Sequence, residues 1–154
     1  MKFLINFFSN SKNSFLGTTL LSGVLLGLSY SYFVWWLAWV ALIPLFHVLN
    51  NSKKGFFWGF LAGFIQSLIL LSWVISTTER FTGESIVFGV LLWLLLSLYL
   101  AIWVGFFGFL YVRLASYFKS KTSFGFIIVV SFFWILLEWI RIQVLPGIPG
   151  WNTF

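Results

Sequence analysis

From Ser85 to Val112, twenty-eight consecutive residues pass without a charged side chain. A water-soluble fold has no place for such a run, whereas a lipid bilayer demands one. Inside hydrocarbon every backbone N–H and C=O must be satisfied within the protein, which leaves helices or closed barrels. The run is continuous rather than a ten-residue segment of alternating polarity, so the helix is the expected answer. At about 1.5 Å per residue it exceeds a hydrocarbon core of roughly 30 Å and must tilt or protrude. Four further apolar runs have helical length: residues 15–29, 34–49, 55–75 and 123–144. The first two are near the lower limit for a span and are expected to form a tight hairpin. With 61% apolar residues, 8% charged residues and a mean hydropathy of +1.04, nothing remains for a soluble domain. The predicted fold is an all-α membrane protein, a polytopic bundle of about five transmembrane helices. It forms one transmembrane domain over residues 1–154, in which 145–154 is a Pro/Gly segment at the outer face.

The charges set an expected orientation. Lys2 and Lys12 precede the first span, Lys53 and Lys54 separate the second from the third, and Arg113, Lys119 and Lys121 separate the fourth from the fifth. These breaks hold seven of the nine basic residues and no acid. The opposite breaks are uncharged (29–33) or mixed, with Glu79, Arg80 and Glu84. The positive-inside rule then predicts a cytoplasmic N-terminus and an outward C-terminus. Lys2, Lys12 and the apolar run from Phe15 have the outline of a signal peptide. The following Tyr32-Phe33-Val34-Trp35-Trp36, however, leads straight into another apolar run, so the segment is read as a retained span.

The net charge of +6 is spread over loop anchors rather than gathered in a patch, so no nucleic-acid partner is expected. With no cysteine, one histidine and three acids, neither a metal site nor any other cofactor is expected. Small residues recur on two helices: Gly23 and Gly27 on the first span, and Gly55, Gly59 and Gly63 at every fourth position of the third. Such stripes let helix backbones approach in lipid. Gln66 is expected to act as interhelical glue, and His47 to lie at a membrane interface.

One pair of residues stands out. Glu138 and Arg141, three apart, share a helix face within an otherwise apolar span, where ionisable groups are costly. They form either a structural ion pair or a polar anchor beneath a site at the outer face. Aromatics gather at the same side of the membrane: Tyr30, Tyr32, Phe33, Trp35, Trp36, Trp73, Trp139 and Trp151. They are either an interfacial belt or the wall of a groove that admits lipid.

Four stretches of this chain resemble the membrane portion of bacterial apolipoprotein N-acyltransferases. Leu37-Ala38-Trp39-Val40-Ala41-Leu42-Ile43-Pro44-Leu45 is similar to that family's second span. Phe57-Trp58-Gly59-Phe60-Leu61-Ala62-Gly63-Phe64, with Ser72-Trp73-Val74 after it, is similar to the third. The run Leu94–Leu100 is similar to the fourth. Most specific is Trp134-x-x-x-Glu138-Trp139-x-Arg141 followed by Pro146-Gly147-Ile148-Pro149-Gly150-Trp151, similar to the family's E-W-x-R run and its Gly-Phe-Pro-Trp-like motif. Two features depart from the pattern. Tyr30-Ser31-Tyr32-Phe33 stands where the family has a Pro-Pro-Phe turn, and Gly150 separates Pro149 from Trp151.

The resemblance implies a location in the bacterial cytoplasmic (inner) membrane. It also implies a reaction in two steps, in which a cysteine thiolate takes an acyl group from a phospholipid and the α-amine of a diacylglyceryl-cysteine lipoprotein then attacks the thioester. In the family a Glu-Lys-Cys triad on a nitrilase-like extracytoplasmic domain does this chemistry. That domain is missing from these 154 residues, which contain no cysteine, so no residue here is expected to be catalytic and the chain alone is expected to be inactive. Membrane phospholipid is the expected partner. Lipidated apolipoprotein joins it once a nitrilase-like domain, in cis or in trans, completes the enzyme. Glu138, Trp139, Arg141, Pro149 and Trp151 are then the candidates for a lipid-access site. Two other readings are a non-catalytic membrane scaffold that binds lipid or a partner, and a small transporter or channel subunit. The scarcity of polar residues at mid-membrane positions disfavours the last.

Overall fold

A computed structural model describes residues 13–31, 36–83, 85–118 and 123–144 of the chain. Among these the backbone forms six helices and no strand: α1 (Asn13–Ser31), α2 (Leu37–Asn51), α3 (Gly55–Leu70), α4 (Trp73–Thr82), α5 (Ile86–Ala115) and α6 (Phe124–Val144). The protein is an all-α membrane protein. The Ile86–Ala115 and Phe124–Gln143 segments are each long and apolar enough to cross a membrane, and the bent pair α3–α4 is a third such element if it forms one span. α1 and α2 are shorter apolar helices.

The run expected as one helix over 55–75 is two helices, meeting at a bend of 48°. A hydrogen bond from across the bundle falls at this bend. The indole N–H of Trp93 on α5 donates to the Leu68 carbonyl at 3.0 Å, the same acceptor that the Ser72 N–H would use in a continuous helix. The Ser72 N–H turns instead to the Ile69 carbonyl, which also accepts from the Ser72 hydroxyl at 2.9 Å. The ladder tightens to i→i−3 and resumes in α4. α4 ends on Gly83, whose left-handed φ of 66° suits a residue without Cβ and lets its N–H reach the Glu79 carbonyl.

Glycine decides which helices touch. α3 lies against α5 with Gly55 on Gly108, Gly59 on Val104 and Gly105, and Gly63 on Val104. The Gly55 and Gly108 backbones are so close that a Cβ on either would overlap the carbonyl of the other. α1 packs on a neighbouring face of α3, with Gly23 on Ala62 and Ile65 and Gly27 on Ile69. α1 also buries a face of hydroxyls. Thr18, Thr19 and Ser29 return theirs to their own helix, and Ser22 donates to the Ala41 carbonyl of α2 at 2.6 Å. Small and hydroxylated faces pack closely where lipid offers no hydrophobic drive for association.

A buried apolar cluster joins Leu45 and Leu49 of α2, Ala62 of α3, Phe107 and Tyr111 of α5, and Phe126 and Val130 of α6. Tyr111 stacks on Phe46 and donates its hydroxyl to the Asn50 side-chain oxygen at 3.0 Å, tying α5 to the end of α2.

Candidate functional site

α6 lies against α5 in the opposite direction. Tyr111 meets Phe126, Phe107 meets Trp134 edge-on at 4.9 Å, and Trp103 reaches the turn that carries Leu137, Glu138 and Arg141. The last turns of α6 are therefore level with the middle of α5. The remaining half of α5 runs on toward its own N-terminus, where Gly89 seats it against Ile75 and Thr78 of α4. From Phe124 to Glu138 is fourteen steps, so the glutamate stands about 21 Å along α6, well inside the apolar length of both helices.

At this level the two helices leave a cleft of about 30 Å³ lined by Trp103, Val104, Trp134, Leu137, Glu138 and Arg141. Within it Arg141 Nη2 and Glu138 Oε2 form an ion pair at 2.5 Å, as their i, i+3 spacing allows. The pair cancels in charge but not in hydrogen-bonding capacity. Both Arg141 Nε and the indole N–H of Trp103 are buried and find no acceptor among the described residues. Tyr99, edge-on to Trp103 one turn earlier, likewise has no hydroxyl partner among the described residues. A buried N–H without a partner is costly in hydrocarbon. The cleft is thus rich in donors, walled by indoles and apolar side chains, and supplied with one carboxylate. Such an arrangement suits a group rich in acceptors, such as an ester carbonyl or a phosphate oxygen. It is not sealed: Trp134 is 40% exposed and the Glu138 side chain about a third exposed.

The other candidates from the sequence separate from this pair. Trp139 follows Glu138 by one residue and therefore points elsewhere on α6, 59% exposed. Pro149 and Trp151 lie outside the described residues, as does the whole 145–154 segment. Trp36 and Trp73 are exposed, in keeping with either a belt or a groove wall. Trp103 was not among the sequence candidates. Its role depends on the register of α5 against α6, to which its own neighbours in the chain give no clue.

A family model described as the apolipoprotein N-acyltransferase N-terminal domain matches residues 22–154. Similar proteins include the apolipoprotein N-acyltransferase of Wigglesworthia glossinidia brevipalpis, 28% identical over 143 residues that cover 86% of this chain and 27% of that protein. The apolipoprotein N-acyltransferase of Haemophilus influenzae is 30% identical over 142 residues, covering 88% of this chain and 25% of its own length. The chain thus spans about a quarter of the curated relatives it matches.

Proposed function

The chain belongs to the family of the apolipoprotein N-acyltransferase N-terminal domain, and from that membership we propose that it is the membrane-embedded, lipid-admitting part of an N-acyltransferase. The reaction it serves moves an acyl chain from a membrane phospholipid to the α-amine of a diacylglyceryl-cysteine lipoprotein. The thioester forms on a cysteine, and these 154 residues have none. A nitrilase-like domain, in the same polypeptide or held on the outer face, supplies the nucleophile, and the membrane part without it is inactive. The chain makes five passes of the bacterial cytoplasmic membrane, with α3 and α4 together as one. Its N-terminus is cytoplasmic, because Lys53, Lys54 and Arg113 gather at the opposite end of the bundle from the Glu138–Arg141 pair.

The observation that supports a lipid-handling role is the pair of unspent donors, Arg141 Nε and Trp103 Nε1, in a cleft between two membrane helices. A phospholipid or diacylglyceryl group sliding in laterally brings the carbonyl and phosphate oxygens that these donors lack. The proposal is tested by acyl transfer from phosphatidylethanolamine to a diacylglyceryl-cysteine peptide. Protein isolated from its own cells, with whatever continuation or partner it carries there, should transfer the acyl chain, and residues 1–154 expressed alone should not. Transfer by residues 1–154 alone would refute the division of labour. No transfer by the native material would favour the non-catalytic scaffold.

A further inference from the structure

A second cavity, of about 320 Å³, opens at the other end of the bundle and is lined by Lys53, Lys54, Gly55, Phe56, Phe57 and Phe109. We propose that it binds the headgroup of one anionic phospholipid. The site follows from the helix packing. The Gly55–Gly108 contact brings the α2–α3 connection against the last turns of α5, so two lysines from one element meet Phe109 of another. Arg113, one turn beyond Phe109, lays its guanidinium over the Phe109 ring at 5.4 Å and adds a third cation beside the cavity.

The connection is held in place. Ser52 Oγ accepts from the Lys54 backbone N–H at 3.1 Å and from the Trp58 indole at 2.9 Å, which fixes the Lys53–Lys54 backbone over the start of α3. Among the described residues no carboxylate lines the cavity.

The same site selects a lipid over a free anion. Its remaining walls are the rings of Phe56, Phe57 and Phe109, each at least 40% exposed at the ends of apolar helices. A small phosphate would gain nothing from phenyl faces, whereas a phospholipid places its glycerol and upper acyl chain against them while its phosphate meets the lysines. The site is independent of the acyl-transfer reaction and lies at the far end of the bundle from the Glu138–Arg141 cleft.

Native mass spectrometry of the detergent-purified protein, with phosphatidylglycerol or phosphatidylcholine added at equal concentration, tests this. One phosphatidylglycerol should be retained in preference to phosphatidylcholine, and Lys53→Gln with Lys54→Gln should weaken it about thirtyfold. Lys119→Gln with Lys121→Gln removes the same charge from the next basic connection in the sequence and should leave the preference intact. Phe109→Ala should weaken retention while both lysines remain. Equal retention of the two lipids, an equal loss in both lysine pairs, or displacement by inorganic phosphate at the lipid's own concentration would overturn the proposal.

Discussion

Replacing Gly55 by valine should destabilise the bundle by about 3 kcal/mol, at the upper end of what overpacking usually does. The added Cβ would fall onto the Gly108 carbonyl and against the Val112 side chain. A side chain at the far end of a rotamer can move aside; a carbonyl inside a 30-residue helix cannot without shifting α5 itself. That shift would also break the Gly59–Val104 approach one turn on, where a Cβ would stand 2.5 Å from the carbonyl oxygen. Unfolding of the detergent-solubilised protein, followed by tryptophan fluorescence, checks the size of the effect. Gly125→Ala is the internal control. Its Cβ would meet only a Phe118 ring atom at 3.8 Å, so the better helix propensity of alanine should leave stability unchanged or slightly raised. Equal losses in the two variants would mean that glycine acts by composition rather than by contact.

Glu138→Ala should be nearly as damaging, by about 3 kcal/mol, because it leaves the Arg141 guanidinium without its carboxylate inside the apolar length of α6. The partial exposure of both side chains keeps the loss toward the low end of what a broken buried pair brings. The informative comparison is the double substitution Glu138→Leu with Arg141→Leu. Removing both partners leaves no stranded charge, so stability should recover to within about 1 kcal/mol of the parent. A pair kept only for structure would then be dispensable. The access role predicts instead that the double variant, folded and in normal yield, transfers acyl chains poorly, since the Arg141 donor is gone and only the Trp103 indole remains to receive the lipid. Full activity in the double variant would reduce the pair to a structural brace.

Much of this architecture was legible in the chain itself. Runs without charge, such as 85–112, can only be membrane helices, and the four-residue repeat from Gly55 to Gly63 marks the face that meets α5. Glu138 and Arg141 announced themselves as the only oppositely charged pair three apart within an apolar run. What escaped the sequence depends on contacts between distant residues. The break after Leu70 coincides with a hydrogen bond from the Trp93 indole to the Leu68 carbonyl, 25 residues earlier in the chain, which no local pattern announces. Gly105 and Gly108, which receive the α3 stripe, are spaced by three and form no four-residue repeat. Trp139 sits beside Glu138 in the sequence, yet one helical step turns it away from the cleft. Trp103 enters the cleft only because Phe107 and Tyr111 set the register of α5 on α6.

Whether the cleft between α5 and α6 receives the polar part of a lipid is read out by photolabelling. A phospholipid with a photoreactive group beside its phosphate is reconstituted with the intact protein, irradiated, and the adducts are mapped to residues. Labelling is expected at Trp103 and Trp134 and should fall sharply when Glu138 and Arg141 are both replaced by leucine, while labelling of the exposed Phe132, Ile135 and Trp139 stays the same. Labelling of the outward residues alone, or cleft labelling indifferent to the loss of the pair, would contradict it.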